Sequence, residues 1–388
     1  IGTFFVNSSV DSYPLIRIAY LIDTISCDTA GTQKQLLETI RRLDKKQFKP
    51  VLVCLWQSEW MTHNELPCSC IVLGYQGFLK WSFPGVVKRL SAIIQDKQLH
   101  IIQTFFEDSI FVGYCAKFIT RLPIVLLSSR RDMGLGRGNQ PWYHAIFTLA
   151  LPWANRSFDG IVANSEQVRL YVAKREKTDL EKIKVIRNGV AIPQKASVCP
   201  PLFNAVAIDG IWIGLVGSLT PVKRHDLLIK AVAKIYRDDS SCNIQVCFLG
   251  EGAERKPLEE LVRKLEMQNV VHFFGAVTNV SAFLYHLDIG VLCSDREGLS
   301  NAILEYMACG LPVVATSVGG NTELVDERNG ICIPPDDHAA LATALQRLIQ
   351  NPDLRQRLGI GGLKKIQQSF SWNKTMSELE NYYRKLVE

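Results

Sequence analysis

The chain has 388 residues, 47% of them hydrophobic and 21% charged. That length exceeds what one ordinary core supports and points to two domains, and the balance excludes a disordered, collagen-like or coiled-coil protein. Residues 1–200 carry 25 Lys+Arg and 16 Asp+Glu (+9) and the rest carry 19 and 22 (−3), summing to the net +6, so the basic first half suits an anionic surface or a phosphorylated ligand.

Short apolar segments alternate with helical ones along the whole chain. Strands are expected at Ile16–Ile22, Pro50–Leu55, Ile101–Thr104, Ile124–Leu127 and Gly160–Ala163. A second series is expected at Ile211–Val216, Ile244–Leu249, Ile289–Cys293, Pro312–Ala315 and Gly330–Ile333. Each is nearly continuous in apolar residues, as strands covered on both faces of a parallel sheet are. Thr32–Leu43 has the spacing of an amphipathic helix. Strand–helix alternation implies right-handed βαβ units. Asn188–Phe203, with Asn-Gly and three prolines, marks the joint. The expected fold is therefore α/β, with two doubly wound Rossmann-like domains facing a cleft. Their bounds are 1–190 and 191–372. A terminal helix, Asn373–Leu386, follows with Met376, Leu379, Tyr382, Tyr383 and Leu386 apolar, packing back on the first domain.

Several chemistries are disfavoured. Ala145–Ala154 is the longest uncharged apolar stretch, too short for the about 20 residues that span a bilayer. No basic cluster precedes an apolar core near the start, so no secretory signal is read. The 11 cysteines contain no CxxC pair, and most are expected to be buried small hydrophobes in a reducing cytoplasm. No HExxH and no Asp-x-Asp occurs, so no metal and no cofactor is expected. His225 reads as a loop or helix-start residue rather than a metal ligand. Nothing points to nucleic acid. No Gly-x-Ser-x-Gly elbow is present, and GEGAER lacks the third glycine of a dinucleotide fingerprint.

The richest segment is Ser294–Glu323, SDREGLSNAILEYMACGLPVVATSVGGNTE. A strand ends near Cys293, and a helix begins near Ser300 with Ala302, Ile303, Tyr306 and Met307 facing inward. Ligands of open α/β sheets bind beyond the strands' carboxyl ends, and a helix starting there offers N–H groups to an anion. Glu297 lies in the loop, and Glu305 about 9 Å further along the helix axis. One carboxylate can serve a group beside a phosphate while the other reaches a diol, the arrangement a nucleoside diphosphate sugar presents.

EGLSNAILEYMACGLPVVAT and GGNTELV closely resemble the core motif of the retaining family-4 (group 1) glycosyltransferases of GT-B fold. GLVGSLTPVKRHDLLI, GEGAER and VHFFGAV are similar to that family's phosphate loop and the two signatures that follow it. AGTQKQLLETIRRL, VANSEQVR and VIRNGV resemble its first-half motifs more weakly. The resemblance implies that Lys223 neutralises the donor diphosphate and that Glu297 touches the donor sugar. It implies backbone contacts to the diphosphate at Gly298, Leu299 and Ser300, ribose contacts at Glu305, and nucleobase contacts at Gly275 and Ala276. Gly217, Ser218 and Gly250 would line the donor site, and Gly31 would approach the diphosphate from the first glycine loop. Two departures from the family pattern stand out. Ser218 replaces a common arginine, leaving Arg224 as the candidate to compensate. Ser128-Ser129-Arg130-Arg131 stands where many members carry a histidine, so Arg130 or Arg131 takes over its contacts.

The resemblance thus implies retaining transfer of a sugar from a UDP- or GDP-sugar to a glycan or lipid-linked acceptor, in cell-surface polysaccharide or glycoconjugate synthesis. A GT-B epimerase and a catalytically silent nucleotide-sugar binding protein are the alternatives. Tyr75–Leu90, with Lys80, Lys88 and Arg89, and the aromatic Pro141–Trp153 can each be core or a membrane-docking surface. A cytoplasmic enzyme peripheral on the anionic inner leaflet is the expectation.

Overall fold

The structure is a computed structural model that describes residues 14–121, 123–133, 143–194 and 210–388, with residues 143–148 as backbone alone. Pro141, Trp142 and residues 195–203 of the expected joint lie outside the described residues. The side chains of Tyr143 and Phe147 lie outside them too.

Two parallel sheets dominate. The first comprises β1 (Ile16–Ile22), β2 (Phe48–Cys54), β3 (Cys70–Val72), β4 (Ile101–Phe105), β5 (Val125–Arg130), β6 (Gly160–Ala163) and β7 (Ile183–Val185). Their order is β3-β2-β1-β4-β5-β6-β7. The second comprises β8 (Ile211–Val216), β9 (Ile244–Leu249), β10 (Val271–Gly275), β11 (Ile289–Leu292), β12 (Val313–Thr316) and β13 (Gly330–Ile333). Their order is β10-β9-β8-β11-β12-β13, parallel throughout. Sequence order reverses between β1 and β4, and between β8 and β11. Chains leaving those strands diverge there and open a crevice at the carboxyl ends.

Every strand read from apolar runs is present, five of them with the expected bounds. β5 continues through Ser128, Ser129 and Arg130 because these polar residues are buried with partners. Gln103 Nε2, for instance, donates to Ser129 Oγ at 2.6 Å. β3 and β7 have three residues each, lie at the sheet's two edges and are only partly covered, so they lack an apolar run. The helix after β11 spans Asn301–Ala308, and Leu304 is buried on it where Ala302 was expected. Ala302 is partly buried and packs against the same core, so the apolar stripe is wider than expected and takes in Leu304 as well. Cysteine burial also needs correction: of the ten described, all free thiols, Cys54, Cys247 and Cys293 are fully buried, six are half-buried and Cys332 is exposed.

Helices sandwich the second sheet. Leu227, Leu228, Ile235, Leu341, Leu345 and Leu348 cover one face, and Ile303, Tyr306, Met307 and Ile366 the other. Buried apolar side chains contribute roughly 1.5–3 kcal/mol each, so these two layers hold the strand ends in place. By its contacts the chain divides into two compact units. One comprises residues 1–129, 153–161 and 380–388, and the other residues 130–152 and 162–379. The last helix, Trp372–Val387, buries Met376, Leu379 and Tyr383 and half-buries Tyr382 and Leu386. Tyr383 packs edge-on to Phe48 and shares a hydroxyl contact of 3.2 Å with Tyr20, both in the first unit.

Candidate active site

In the second unit, the loops leaving β8 and β11 meet at the point where strand order reverses. After β8 the chain runs through Gly217 into a single 3₁₀ turn, Pro221–Lys223. After β11 it runs through Ser294 and Asp295 to Glu297. Asp295 N donates to Val222 O at 2.9 Å, joining the two loops by backbone. Lys223 Nζ donates to Glu297 Oε1 at 2.6 Å, and Ser294 Oγ donates to the same oxygen at 2.6 Å. Ser294 is itself fixed, since its carbonyl accepts from Thr316 Oγ1 at 2.6 Å. The pair is largely shielded, with side-chain exposures of 23% for Lys223 and 11% for Glu297. Partial desolvation strengthens such a charge pair over a surface one.

Glycines build the floor. Gly250 has φ +151°, and a Cβ there would overlap the Gly217 carbonyl oxygen. The ends of β8 and β9 are thus pressed together backbone to backbone. Gly250 N donates to Gly275 O at 2.8 Å, which brings the end of β10 into the same row, with Ala276 exposed beside it. Ser218 is exposed next to Gly217. Gly298 lies against the Arg131 carbonyl, where a Cβ has no room, and its own carbonyl accepts from Gly320 N at 2.8 Å and Ser165 Oγ at 3.2 Å. Leu299 and Ser300 are buried, and Ser300 Oγ caps the helix by accepting from Ile303 N at 3.3 Å. Glu305 is half-buried on that helix. Tyr306 pins the helix to the sheet: its hydroxyl accepts from Val216 N at 2.6 Å and donates to Val291 O at 3.2 Å.

Gly217, Lys223, Gly250, Gly275, Glu297, Gly298 and Ser300 are therefore drawn together around two strand ends. Arg224 faces carboxylates, with Asp226 Oδ1 at 3.0 Å, Asp295 Oδ1 at 3.1 Å and Asp336 Oδ1 at 2.6 Å. Arg130 is buried at the end of β5 and forms a two-pronged pair with Glu176, at 3.3 and 3.0 Å. Arg131 Nη1 donates to Asn188 Oδ1 at 2.8 Å, and Asn188 Nδ2 donates to Asn301 Oδ1 at 2.8 Å. Arg131 thereby reaches the start of the Asn301–Ala308 helix, whereas Arg130 turns to Glu176. Gly31 opens the helix Gly31–Arg42 in the first unit. Sequence reasoning missed Ser294, Asn188 and Gly320. Their signal was present only as neighbours within the motifs, because they act through a hydroxyl, an amide and a backbone contact respectively.

The first unit carries its own polar cluster where β1 and β4 end. Ser109 Oγ donates to Asp23 Oδ1 at 2.7 Å, and Tyr75 Oη donates to Asp108 Oδ1 at 2.9 Å. Burial pushes the Asp23 carboxyl up to about 7, with Asp108 and Glu107 adding to the rise against the Ser109 hydrogen bonds. Among the described residues no group of three or more His, Cys, Asp or Glu is placed to hold a metal. No described helix is long and apolar enough to cross a membrane.

Residues 210–351 match the family described as Glycosyl transferases group 1, and residues 29–192 match Glycosyltransferase Family 4. The D-inositol 3-phosphate glycosyltransferase of Geodermatophilus obscurus is 31% identical over 326 residues, 79% of this chain and 71% of that one. The chain belongs to the family-4, group 1 glycosyltransferases. The fold of this glycosyltransferase agrees. HepE of Anabaena, in complex with UDP-glucose, superposes with a TM-score of 0.81 at 20% identity, covering 95% of this chain and 100% of that one. The sucrose-phosphate synthase of Thermosynechococcus elongatus superposes with a TM-score of 0.80 at 20% identity, covering 96% and 99%. The two sheets are the Rossmann-like halves of GT-B.

One histidine of this glycosyltransferase reports on the site's burial. His225 opens the helix after Lys223, is 2% exposed and meets Phe248 edge-on with ring centroids 5.1 Å apart. Neither ring nitrogen has a hydrogen-bond partner among the described residues. Burial, with the Lys223 ammonium adding to it, pushes its pKa down to about 4. Above the unfolded value of about 6.5 both states are neutral. As pH falls from there to about 4, only the unfolded chain takes the proton, so His225 costs stability progressively. His225→Phe should remove that loss. The variant-minus-parent difference in unfolding free energy, measured in urea, should grow by about 3 kcal/mol between pH 7 and pH 4. A difference that stays flat across that range contradicts this assignment.

Proposed function

We propose that this enzyme transfers a sugar, with retention, from a nucleoside diphosphate sugar to a glycan or lipid-linked acceptor, and that Lys223 carries the leaving diphosphate. The observation that carries this reading is the Lys223–Glu297 pair at the second sheet's switch point. A diphosphate arriving at the end of β8 competes with Glu297 for the ammonium. Ser294 holds Glu297 in place as Lys223 turns, which frees the carboxylate for hydroxyls of the donor sugar. Lys223 then faces the charge that grows on the diphosphate as the sugar–oxygen bond breaks. The start of the helix Asn301–Ala308 adds its partial positive charge on the same side. Glu305, on that helix, takes the ribose hydroxyls, and Gly275 and Ala276 line the base. Of the two arginines, Arg131 is favoured as the replacement for the family's histidine, because the Arg130 guanidinium is occupied by Glu176. A UDP-sugar is the favoured donor, because the similarly folded HepE was crystallised with UDP and UDP-glucose. The relative from Geodermatophilus obscurus is a glycosyltransferase, which favours transfer over epimerisation or silent binding.

Lys223→Ala should fold normally and lose about 3 kcal/mol of transition-state stabilisation, a rate drop on the order of a hundredfold. Turnover of UDP-, GDP- and ADP-sugars by parent and variant checks this, after a thermal-shift screen has found the nucleotide. Turnover within threefold of the parent rejects the site.

The acceptor side is read as a membrane-facing surface. In the first unit, Leu79 is 60% exposed and Trp81 fully exposed, beside exposed Lys80, Lys88 and Arg89. Other side chains of the segment face the core. Tyr75, Val86, Val87 and Leu90 are buried, and Phe78 stacks edge-on to Phe83 at 4.9 Å. A rigid aromatic base thus presents one apolar tip among cations. Each cation near an anionic leaflet contributes about 1 kcal/mol, and the tryptophan suits the headgroup layer. The enzyme should co-sediment with anionic but not neutral vesicles, less so in high salt, and Trp81→Ser with Lys80→Ser should abolish it. No co-sedimentation at low salt overturns this reading and leaves the transfer reaction standing.

A further inference from the structure

Arg224 has an unusual backbone and an unusual set of neighbours. It joins the Pro221–Lys223 turn to the helix His225–Asp238 with φ +49° and ψ +46°, the left-handed region. A non-glycine residue pays for that conformation only where surrounding contacts over-determine it. Its side chain supplies them. Nε and Nη2 meet Asp226 Oδ1 and Oδ2 at 3.0 and 3.4 Å, Nη1 meets Asp295 Oδ1 at 3.1 Å, and Nη2 meets Asp336 Oδ1 at 2.6 Å. Lys230 is the second cation of the group, 2.7 Å from Asp226 Oδ2.

These contacts differ in weight. The Asp336 side chain is 72% exposed, and rim pairs of that kind contribute little. Asp295 matters for its position, two residues before Glu297 in the β11 loop. Its backbone N–H is bound to Val222 O and its carboxylate to Arg224, so it grips the chain on both sides of Lys223. The clasp spans the two loops that bear the reacting charges.

We propose that Arg224 is a positioning residue: through Asp295 it fixes the spacing of Lys223 and Glu297 while the Lys223 side chain passes from Glu297 to the donor diphosphate. This rests on the donor site proposed above. The residue does not itself bind the diphosphate. Its charge already faces three carboxylates, and turning it toward a phosphate would break the clasp. The sequence pattern, in which Arg224 is the candidate to replace the arginine missing at Ser218, suggests the opposite role.

The test uses the full chain, with donor hydrolysis or transfer as the activity and UDP binding by calorimetry. Arg224→Gly suits the left-handed backbone and removes the whole side chain with its guanidinium, and Asp295→Asn removes the charge while keeping the side-chain shape. The clasp predicts that each variant loses about tenfold or more in kcat with UDP affinity within threefold of the parent. It also predicts that the double variant is no worse than the worse single one, since both break the Arg224–Asp295 contact. Weakening of UDP binding by tenfold or more in Arg224→Gly, or losses that multiply in the double variant, overturns the proposal. Failure of the parent itself to bind UDP, GDP or ADP would instead overturn the donor site. Circular dichroism and melting of each variant separate misfolding from a displaced loop.

Discussion

Everything at the site depends on one charge pair, Lys223 with Glu297, held where the loops after β8 and β11 cross. An isolated lysine there would be a free cation open to any anion, and an isolated glutamate would repel a diphosphate. Paired, each shields the other until a stronger anion arrives. In the proposed reaction a diphosphate, with more charge than one carboxylate and several oxygens, would win the ammonium. That proposed exchange would convert binding into placement, because the same event that seats the diphosphate would release the carboxylate toward the sugar. Catalysis of this kind rests on fixed dipoles and charges rather than on moving protons.

The fold provides that crossing through strand order. β8 lies between β9 and β11, and residues far apart in sequence reach one ridge because parallel strands all end on the same edge. Close backbone contacts then set the fine spacing. Gly250 against the Gly217 carbonyl, and Gly298 against Arg131 and Gly320, leave no room for side chains and hold loops at hydrogen-bond range. Tyr306 ties the helix to both strands from below. The exposed face stays polar and open while the layers underneath are rigid.

Much of this was legible in the sequence. Continuous apolar runs located the central strands because both of their faces are covered. β3, β7 and β10 escaped because edge position relaxes that requirement. Lys223 and Glu297 were legible from motif resemblance, but their mutual pairing was not, since 74 residues separate them and only the sheet order joins them. Supporting residues such as Ser294 and Asn188 are common polar types whose role exists only in three dimensions. The partial burial of Ala302 and of most thiols shows the same limit: apolar character states a preference for burial, and packing decides how far it is met. Arg224 is the sharpest case. Its charge suggests an anion ligand, and its surroundings hold three carboxylates.

The exchange at Lys223 is tested most directly by calorimetric titration of UDP into Glu297→Gln beside the parent. With the competing carboxylate gone, the ammonium is available from the start. A partly shielded pair of this kind holds about 1 kcal/mol, so UDP should bind about fivefold tighter to the variant while sugar transfer falls. Unchanged or weaker UDP binding to a folded Glu297→Gln protein would contradict the account, because the diphosphate would then not be replacing Glu297 at Lys223.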